Sequence, residues 1–270
     1  MTDWGALTPL FEEHLTDQGC DSLELDIGGR ICTVKQDRGQ RSRGGAAQEG
    51  DVDDPTARPG LTEHVSTTGA VVWDGSVVLA RYLAAHGLAE GARVVEVGAG
   101  CSGLPTLAAL TSGAGAALCV ASDRAPLLPS LRANLERSLR GPVERARLVV
   151  LELLWGAELP AQLAERAGGR STFDVVAAAD CVYDAELVDP LVRTLHALCA
   201  ADGVVLCAWD ASVGRRQSYA LLRARLPELF GSVEEVPFER RLPAGSADVE
   251  AVKLLAARLP RALAGRIASA

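Results

Sequence analysis

Two clusters of residues in this sequence have types and spacings that could do chemistry. The first is Glu96 and the glycines after it, in Val94-Val95-Glu96-Val97-Gly98-Ala99-Gly100-Cys101-Ser102-Gly103. Glycine has no Cβ and tolerates positive φ, so such a run lets backbone approach a ligand closely. Gly98, Gly100 and Gly103 satisfy G-x-G-x-x-G, the spacing of dinucleotide-binding turns. Asp123 ends the next apolar run, where a ribose hydroxyl would sit; a charge-assisted hydrogen bond of that kind contributes ~1.5–3 kcal/mol. The second cluster is Asp180-Cys181-Val182-Tyr183, which closes the apolar run Val175-Val176-Ala177-Ala178-Ala179. Asp180 and Tyr183 stand where a substrate would meet a cofactor. Asp180 could instead, or in addition, cap the helix that follows.

Glu96 separates two classes of ligand. A pyrophosphate brings its own negative charge, and dinucleotide turns usually run apolar up to the first glycine. S-adenosylmethionine has no phosphate; it carries a sulfonium cation and an amino group, which an acid at the strand end attracts. This favours S-adenosylmethionine as the cofactor, and a methyltransferase, over a nicotinamide oxidoreductase or a catalytically silent binding module. Trp155, in Leu153-Leu154-Trp155-Gly156, could lie against an adenine ring or pack at a rim. Trp73 could close over the methionine end, with Asp74 as the N-cap of the helix behind it. The tetrad lacks the prolines of the Asn/Asp-Pro-Pro-Tyr motif, which weighs against planar amide or adenine nitrogens as acceptors. Should Asp180 be dispensable, the surroundings of Trp73 and Trp209 are the next place to seek the substrate.

Strands and helices must alternate to bring these clusters together. The pattern predicts a hairpin of Leu23–Ile27 and Ile31–Val34 about Gly28-Gly29, then a helix over 75–86. Strands are expected at 93–97, 118–122, 148–151, 175–178 and 204–208, with helices at 104–111, 127–139, 159–167 and 185–199. Such βα alternation implies a parallel sheet covered on both faces. After a helix at 217–226, two strand-like runs at 232–236 and 249–257 follow with no helix between, and successive strands of that kind can pair antiparallel. Residues 1–37 read as an N-terminal extension with the hairpin, 38–66 as a flexible polar insertion, 67–260 as the catalytic domain and 261–270 as a tail.

Composition sets bounds on this reading. The chain has 270 residues, 48% of them apolar, and a formal charge of −8. An acidic balance argues against a broad nucleic-acid surface. No run reaches the ~18–20 apolar residues of a membrane helix, and the first residues lack the pattern of a secretory signal. The seven cysteines sit mostly in apolar runs, without zinc-ligand spacing, and read as small buried hydrophobes in a reducing compartment. No metal is expected, and a monomer in the cytoplasm or nucleus is.

The sequence resembles the seven-β-strand protein-lysine methyltransferases, the group whose members act on heat-shock chaperones and on the valosin-containing AAA ATPase. The likeness is carried by Val34-Lys35-Gln36-Asp37, Val72-Trp73-Asp74, Val78-Leu79-Ala80-Arg81-Tyr82-Leu83, Glu96 to Gly100, Trp155-Gly156, Ala179 to Tyr183 and Leu191 to Leu195. The run Ala-Asp-Cys-Val-Tyr, with Cys207-Ala208-Trp209-Asp210, is nearest the enzyme acting on the AAA ATPase. The resemblance implies a Rossmann-like α/β fold with seven strands, the last antiparallel, and a protein substrate, an AAA ATPase or a chaperone. It implies that Trp73, Gly98, Asp123, Trp155 and Ala179 contact the cofactor and that Asp180 and Tyr183 face the lysine. Ser102 and Pro105 depart from the usual glycines of the turn, and arginine stays open as the acceptor.

Overall fold

The computed structural model describes residues 11–12, 20–36, 68–113, 115–210, 216–236, 240–241 and 252–260. The insertion expected over 38–66 and the tail over 261–270 lie outside them. The hairpin forms as β1 (Ser22–Ile27) and β2 (Arg30–Lys35), with Ile27 opposite Arg30. Gly28 and Gly29 have φ of +62° and +83°, the mirror-image turn whose twist matches right-twisted strands. Alternation puts Leu25, Ile27, Cys32 and Val34 on one face, and that face is buried in the main core.

The remaining chain alternates as expected. It runs α1 (Asp74–His86), β3 (Arg93–Val97), α2 (Leu104–Thr111), β4 (Leu118–Asp123), α3 (Leu128–Ser138), α4 (Pro142–Ala146) and β5 (Leu148–Glu152). Then come α5 (Ala161–Arg166), β6 (Phe173–Ala179), α6 (Val188–Leu198), β7 (Cys199–Asp210), α7 (Arg216–Leu229), β8 (Phe230–Glu235) and β9 (Val252–Pro260). The seven-stranded sheet has the order β5-β4-β3-β6-β7-β9-β8. Only β9 is reversed, lying antiparallel between β7 and β8; this is the expected antiparallel last strand. β7 begins earlier than its apolar run, because backbone pairing of Cys199 with Phe173 continues across a register shift. α3 and α6 each open with a short 3-10 turn, Ala125–Leu127 and Ala185–Leu187.

Side chains alternate cleanly between two apolar layers. Val94, Ala121, Ala177 and Leu206 face the layer that holds α1, α2 and the hairpin. Val95, Val120, Val176 and Val205 face the layer that holds α6 and α7. Six of the seven cysteines are buried and all are free thiols, as read from their apolar surroundings. Among the described residues no helix is long and apolar enough to cross a membrane.

The neighbours of β3 are β4 on one side and β6 on the other. The chain therefore leaves β3 in one direction and later returns to its opposite edge. A crevice opens at the carboxyl ends of strands where connections diverge in this way. One expectation at this end of the sheet is corrected. Asp74 is the first residue of α1, and Trp73, in extended conformation, occupies the cap position.

The hairpin docks through its turn: a Cβ on Gly28 would lie 2.8 Å from Ala84 Cβ of α1. Gly28→Ala therefore meets both a left-handed φ and a clash, and should lower stability by about 1–3 kcal/mol. Urea unfolding checks this; an unchanged midpoint would mean that the turn is not seated on α1.

Candidate active site

The strand register brings the candidate residues side by side. Val97 pairs with Ser122 on one edge and with Ala178 on the other, so Gly98, Asp123 and Ala179-Asp180 emerge from adjacent strand ends. They line one cleft of about 410 Å³, within the ~300–1,000 Å³ of small-molecule sites. Trp73, Glu96, Gly98, Gly100, Asp123, Trp155, Ala179, Asp180 and Tyr183 all contribute to its wall. Sequence reasoning missed the apolar part of that wall, Val71, Leu127, Leu153, Leu154 and Leu187, and the roof Thr68-Gly69. Leucines in amphipathic runs carry no mark that separates cleft from core.

Three acids stand at these strand ends, each holding a backbone N–H. Glu96 is buried and faces α2, where its Oε2 accepts from Thr106 N at 2.8 Å and from Thr106 Oγ1 at 2.6 Å. Burial pushes its carboxyl up to about 7, against the lowering effect of the two Thr106 bonds. Asp123 Oδ2 accepts from Gly100 N, and its Oδ1 from Arg124 N, both at 2.7 Å. Burial raises its pKa as well, with the two N–H donors opposing. Asp180 Oδ2 accepts from Gly75 N at 2.7 Å, 105 residues away in the chain.

That last bond corrects the expectation that Asp180 caps the helix after it. Asp180 has φ of +52° and donates its own N–H to Ala208 O at 2.8 Å, so its side chain turns back toward the start of α1. The cap is Asp184, whose Oδ1 accepts from Glu186 N at 2.9 Å.

The glycine turn is shaped by its neighbours. A Cβ on Gly98, at φ +69°, would lie 2.6 Å from Cys181 Sγ and 2.9 Å from Trp155 Cζ2. The Cys181 thiol donates to Val97 O at 3.3 Å, and burial raises its pKa well above the usual thiol range. Cys181 is therefore a packed thiol rather than a nucleophile. The Trp155 loop is held by Gly156 N donating to Thr194 Oγ1 at 2.8 Å. The roof is held by Cys101 N donating to Gly69 O at 2.7 Å and by Trp73 Nε1 donating to Thr68 O at 2.8 Å. Tyr183 is half-buried at the wall, and burial lifts its phenol to about 12, so it keeps its proton at neutral pH. Trp209 is fully buried on the opposite layer, its ring 4.5 Å from Tyr219. This removes it as a second place for the substrate.

A close-approach glycine turn with acids at the neighbouring strand ends fits the cationic S-adenosylmethionine. The sheet order and this cleft define a class I methyltransferase. A family described as lysine methyltransferase matches residues 61–222, and the chain belongs to that family. It is 35% identical over 173 residues to the protein N-lysine methyltransferase METTL21A of Danio rerio, covering 63% of this chain and 72% of that one. It is 30% identical over 179 residues to the protein-lysine methyltransferase METTL21E of Mus musculus, covering 65% and 68%. Among solved structures, the fold matches that of SMU.776 complexed with SAH. The TM-score there is 0.50 at 12% identity, over 87% of this chain and 55% of that one. These likenesses establish the family; they do not single out the AAA-ATPase enzyme.

The raised carboxyl of Glu96 has a measurable consequence. The folded chain keeps a proton on Glu96 that the unfolded chain, near pKa 4.5, releases. Stability from this group therefore falls as pH rises from about 4.5 to about 7. Glu96→Gln cannot titrate, so it should gain on the wild type by up to about 3 kcal/mol across that window and level off above it. Urea unfolding at a series of pH values, without cofactor, reads the difference. A pH-independent offset would show that Glu96 is ionised throughout.

Proposed function

We propose that this chain transfers the methyl group of S-adenosylmethionine to the ε-amine of a protein lysine. In this reading the glycine turn, Trp73, Glu96, Asp123, Trp155 and Ala179 hold the cofactor. Asp180 and Tyr183 line the slot for the amine. The observation that carries the reading is that both groups open into one cleft at three adjacent strand ends. When bound, S-adenosylmethionine supplies an electrophilic methyl carbon on a good leaving group.

The chain's own task is alignment. Nitrogen must approach in line with the methyl carbon, and holding it there is catalysis by proximity. A free lysine has pKa ~10.4, so presenting it neutral at pH 7 costs roughly 4–5 kcal/mol. The apolar wall of Leu127, Leu153 and Leu187 disfavours the ammonium form and lowers that cost. Asp180 orients the amine. The ring of Tyr183 offers a face to a methylated ammonium, worth ~0.5–2 kcal/mol. As a protonated phenol, Tyr183 acts as a donor and a wall rather than as a base.

S-adenosylhomocysteine should raise the thermal midpoint and NAD should not. A ligand at 100 times its Kd stabilises by about 2.7 kcal/mol. Stabilisation by NAD alone would overturn the cofactor assignment. Of possible targets, the resemblance puts an AAA ATPase or a chaperone first. Labelled methyl transfer to such proteins, lost on Lys→Arg substitution in the target, separates lysine from arginine.

Asp180→Asn keeps a carbonyl oxygen for Gly75 N, and Asn is at home at positive φ. Stability should barely move. Turnover should fall ~10²-fold or more if the charge holds the amine, on the scale of positioned groups in active sites. Tyr183→Phe should be milder than Tyr183→Ala. Single-turnover methyl transfer beside urea unfolding separates the effects. Full activity in a folded Asp180→Asn protein would reduce this carboxylate to an anchor for α1.

A further inference from the structure

The end of the hairpin reaches the backs of two elements that line the cleft. Gln36 is 6% exposed. Its Nε2 donates to Cys20 O at 2.7 Å, and its Oε1 accepts from Val72 N at 2.8 Å. Val72 lies between Val71 and Trp73, both in the cleft wall. Asn134, on α3 and 3% exposed, does the same for the glycine turn. Its Oδ1 accepts from Lys35 N at 3.0 Å, and its Nδ2 donates to Lys35 O at 2.9 Å and to Cys101 O at 2.8 Å. Cys101 lies between Gly100 and Ser102, again in the wall. Cys101 N in turn donates to Gly69 O at 2.7 Å.

These bonds form a closed ring. It passes from Lys35-Gln36 to the roof at Val72, along the roof to Gly69, across to the turn at Cys101, and through Asn134 back to Lys35. The orientation of each amide is set by its partners. N–H groups of Val72 and Lys35 can only donate, and the carbonyls of Cys20, Lys35 and Cys101 can only accept. Buried backbone groups must be paired. Roof and turn therefore have one arrangement in which these polar groups are satisfied, and the hairpin supplies it.

We propose that Gln36 and Asn134 are positioning residues for the cofactor cleft. Through them the N-terminal hairpin sets the spacing between the roof 69–73 and the glycine turn 98–102. The proposal rests on the methyltransferase reading above.

The test compares two ring variants with one hairpin control. Asn134→Asp keeps acceptors for Lys35 N and for Arg137 Nη1, 2.6 Å from Oδ1, but turns an oxygen toward two carbonyls. Gln36→Met removes the bonds to Cys20 O and from Val72 N at similar size. Arg30→Met breaks the hairpin's bidentate pair with Glu144, at 2.8 and 3.1 Å, and a bond to Ser138 O at the end of α3, at 3.2 Å; none of these partners lies in the roof or the turn. Calorimetry with S-adenosylhomocysteine should show affinity ~10-fold or more weaker in both ring variants and unchanged in Arg30→Met. KM for S-adenosylmethionine should rise with KM for the protein substrate unmoved. Hydrogen exchange without ligand should quicken at the Val72 and Cys101 amides in Asn134→Asp and stay slow there in Arg30→Met. Equal loss of affinity in Arg30→Met would reduce the effect to general stability, and wild-type exchange at both amides in Asn134→Asp would overturn the ring. That exchange measurement needs no cofactor. A wild type that fails to bind S-adenosylhomocysteine would thus count against the methyltransferase reading, and the ring would still be judged by exchange.

Discussion

A carboxylate taken out of water needs hydrogen-bond donors, and at this sheet's carboxyl edge the donors are backbone N–H groups of other segments. Glu96 takes Thr106 N at 2.8 Å, Asp123 takes Gly100 N at 2.7 Å and Asp180 takes Gly75 N at 2.7 Å. Two of these N–H groups lie in the first turns of α2 and α1, where the helix dipole is positive. Each acid therefore does two things. Its buried oxygens find a partner, and a helix start or a turn is held in place by it. The cleft is the space left between segments located in this way. The charge of Asp123 adds to the burial that raises the Glu96 carboxyl. A cationic ligand relieves that repulsion; an anionic one would add to it.

The sheet was largely legible in the sequence because its signals are local. Alternating apolar residues and glycine breaks mark β3, α2 and the hairpin within their own few residues. The positions of Glu96, Gly98, Asp123 and Asp180 at strand ends followed directly. What remained hidden depends on bonds between distant residues. The partner of Asp180 is 105 positions away, and the partners of Asn134 are 99 and 33 away. No window of sequence contains both ends of such a bond. Asp184 and Asp180 are alike as cap candidates in composition, and the left-handed backbone at Asp180 and its bond to Gly75 N decide between them. Trp209 was ambiguous for a different reason. A tryptophan at a strand end faces one layer or the other according to register, and here the register turns it toward Tyr219.

The cleft straddles both apolar layers, and this shapes its two walls. Glu96 belongs to the layer of α2, which is packed with small and branched side chains. Cys181 belongs to the layer of α6, with Trp155 packed against it. Gly98 is the hinge between them, since any side chain there would strike both Cys181 and Trp155. The turn can thus sit against an aromatic ring on one side and a carboxylate on the other.

The reversed strand has a consequence for how this chain is made. β7 is apolar on both faces, and among the described residues its outer edge is covered by β9, whose pairing with it begins at Val252 opposite Asp210. Some forty residues separate the two, and at ~5–20 residues per second a ribosome needs seconds to supply them. During that time β3, β4 and β6 can already be assembled, while β7 shows a bare edge of N–H and C=O groups. Among the described residues β8 has only β9 as a neighbour in the sheet, so it does not seal the gap first. A nascent chain in this state is a template for pairing with another copy, and the danger ends only when the last strand slides between its two neighbours.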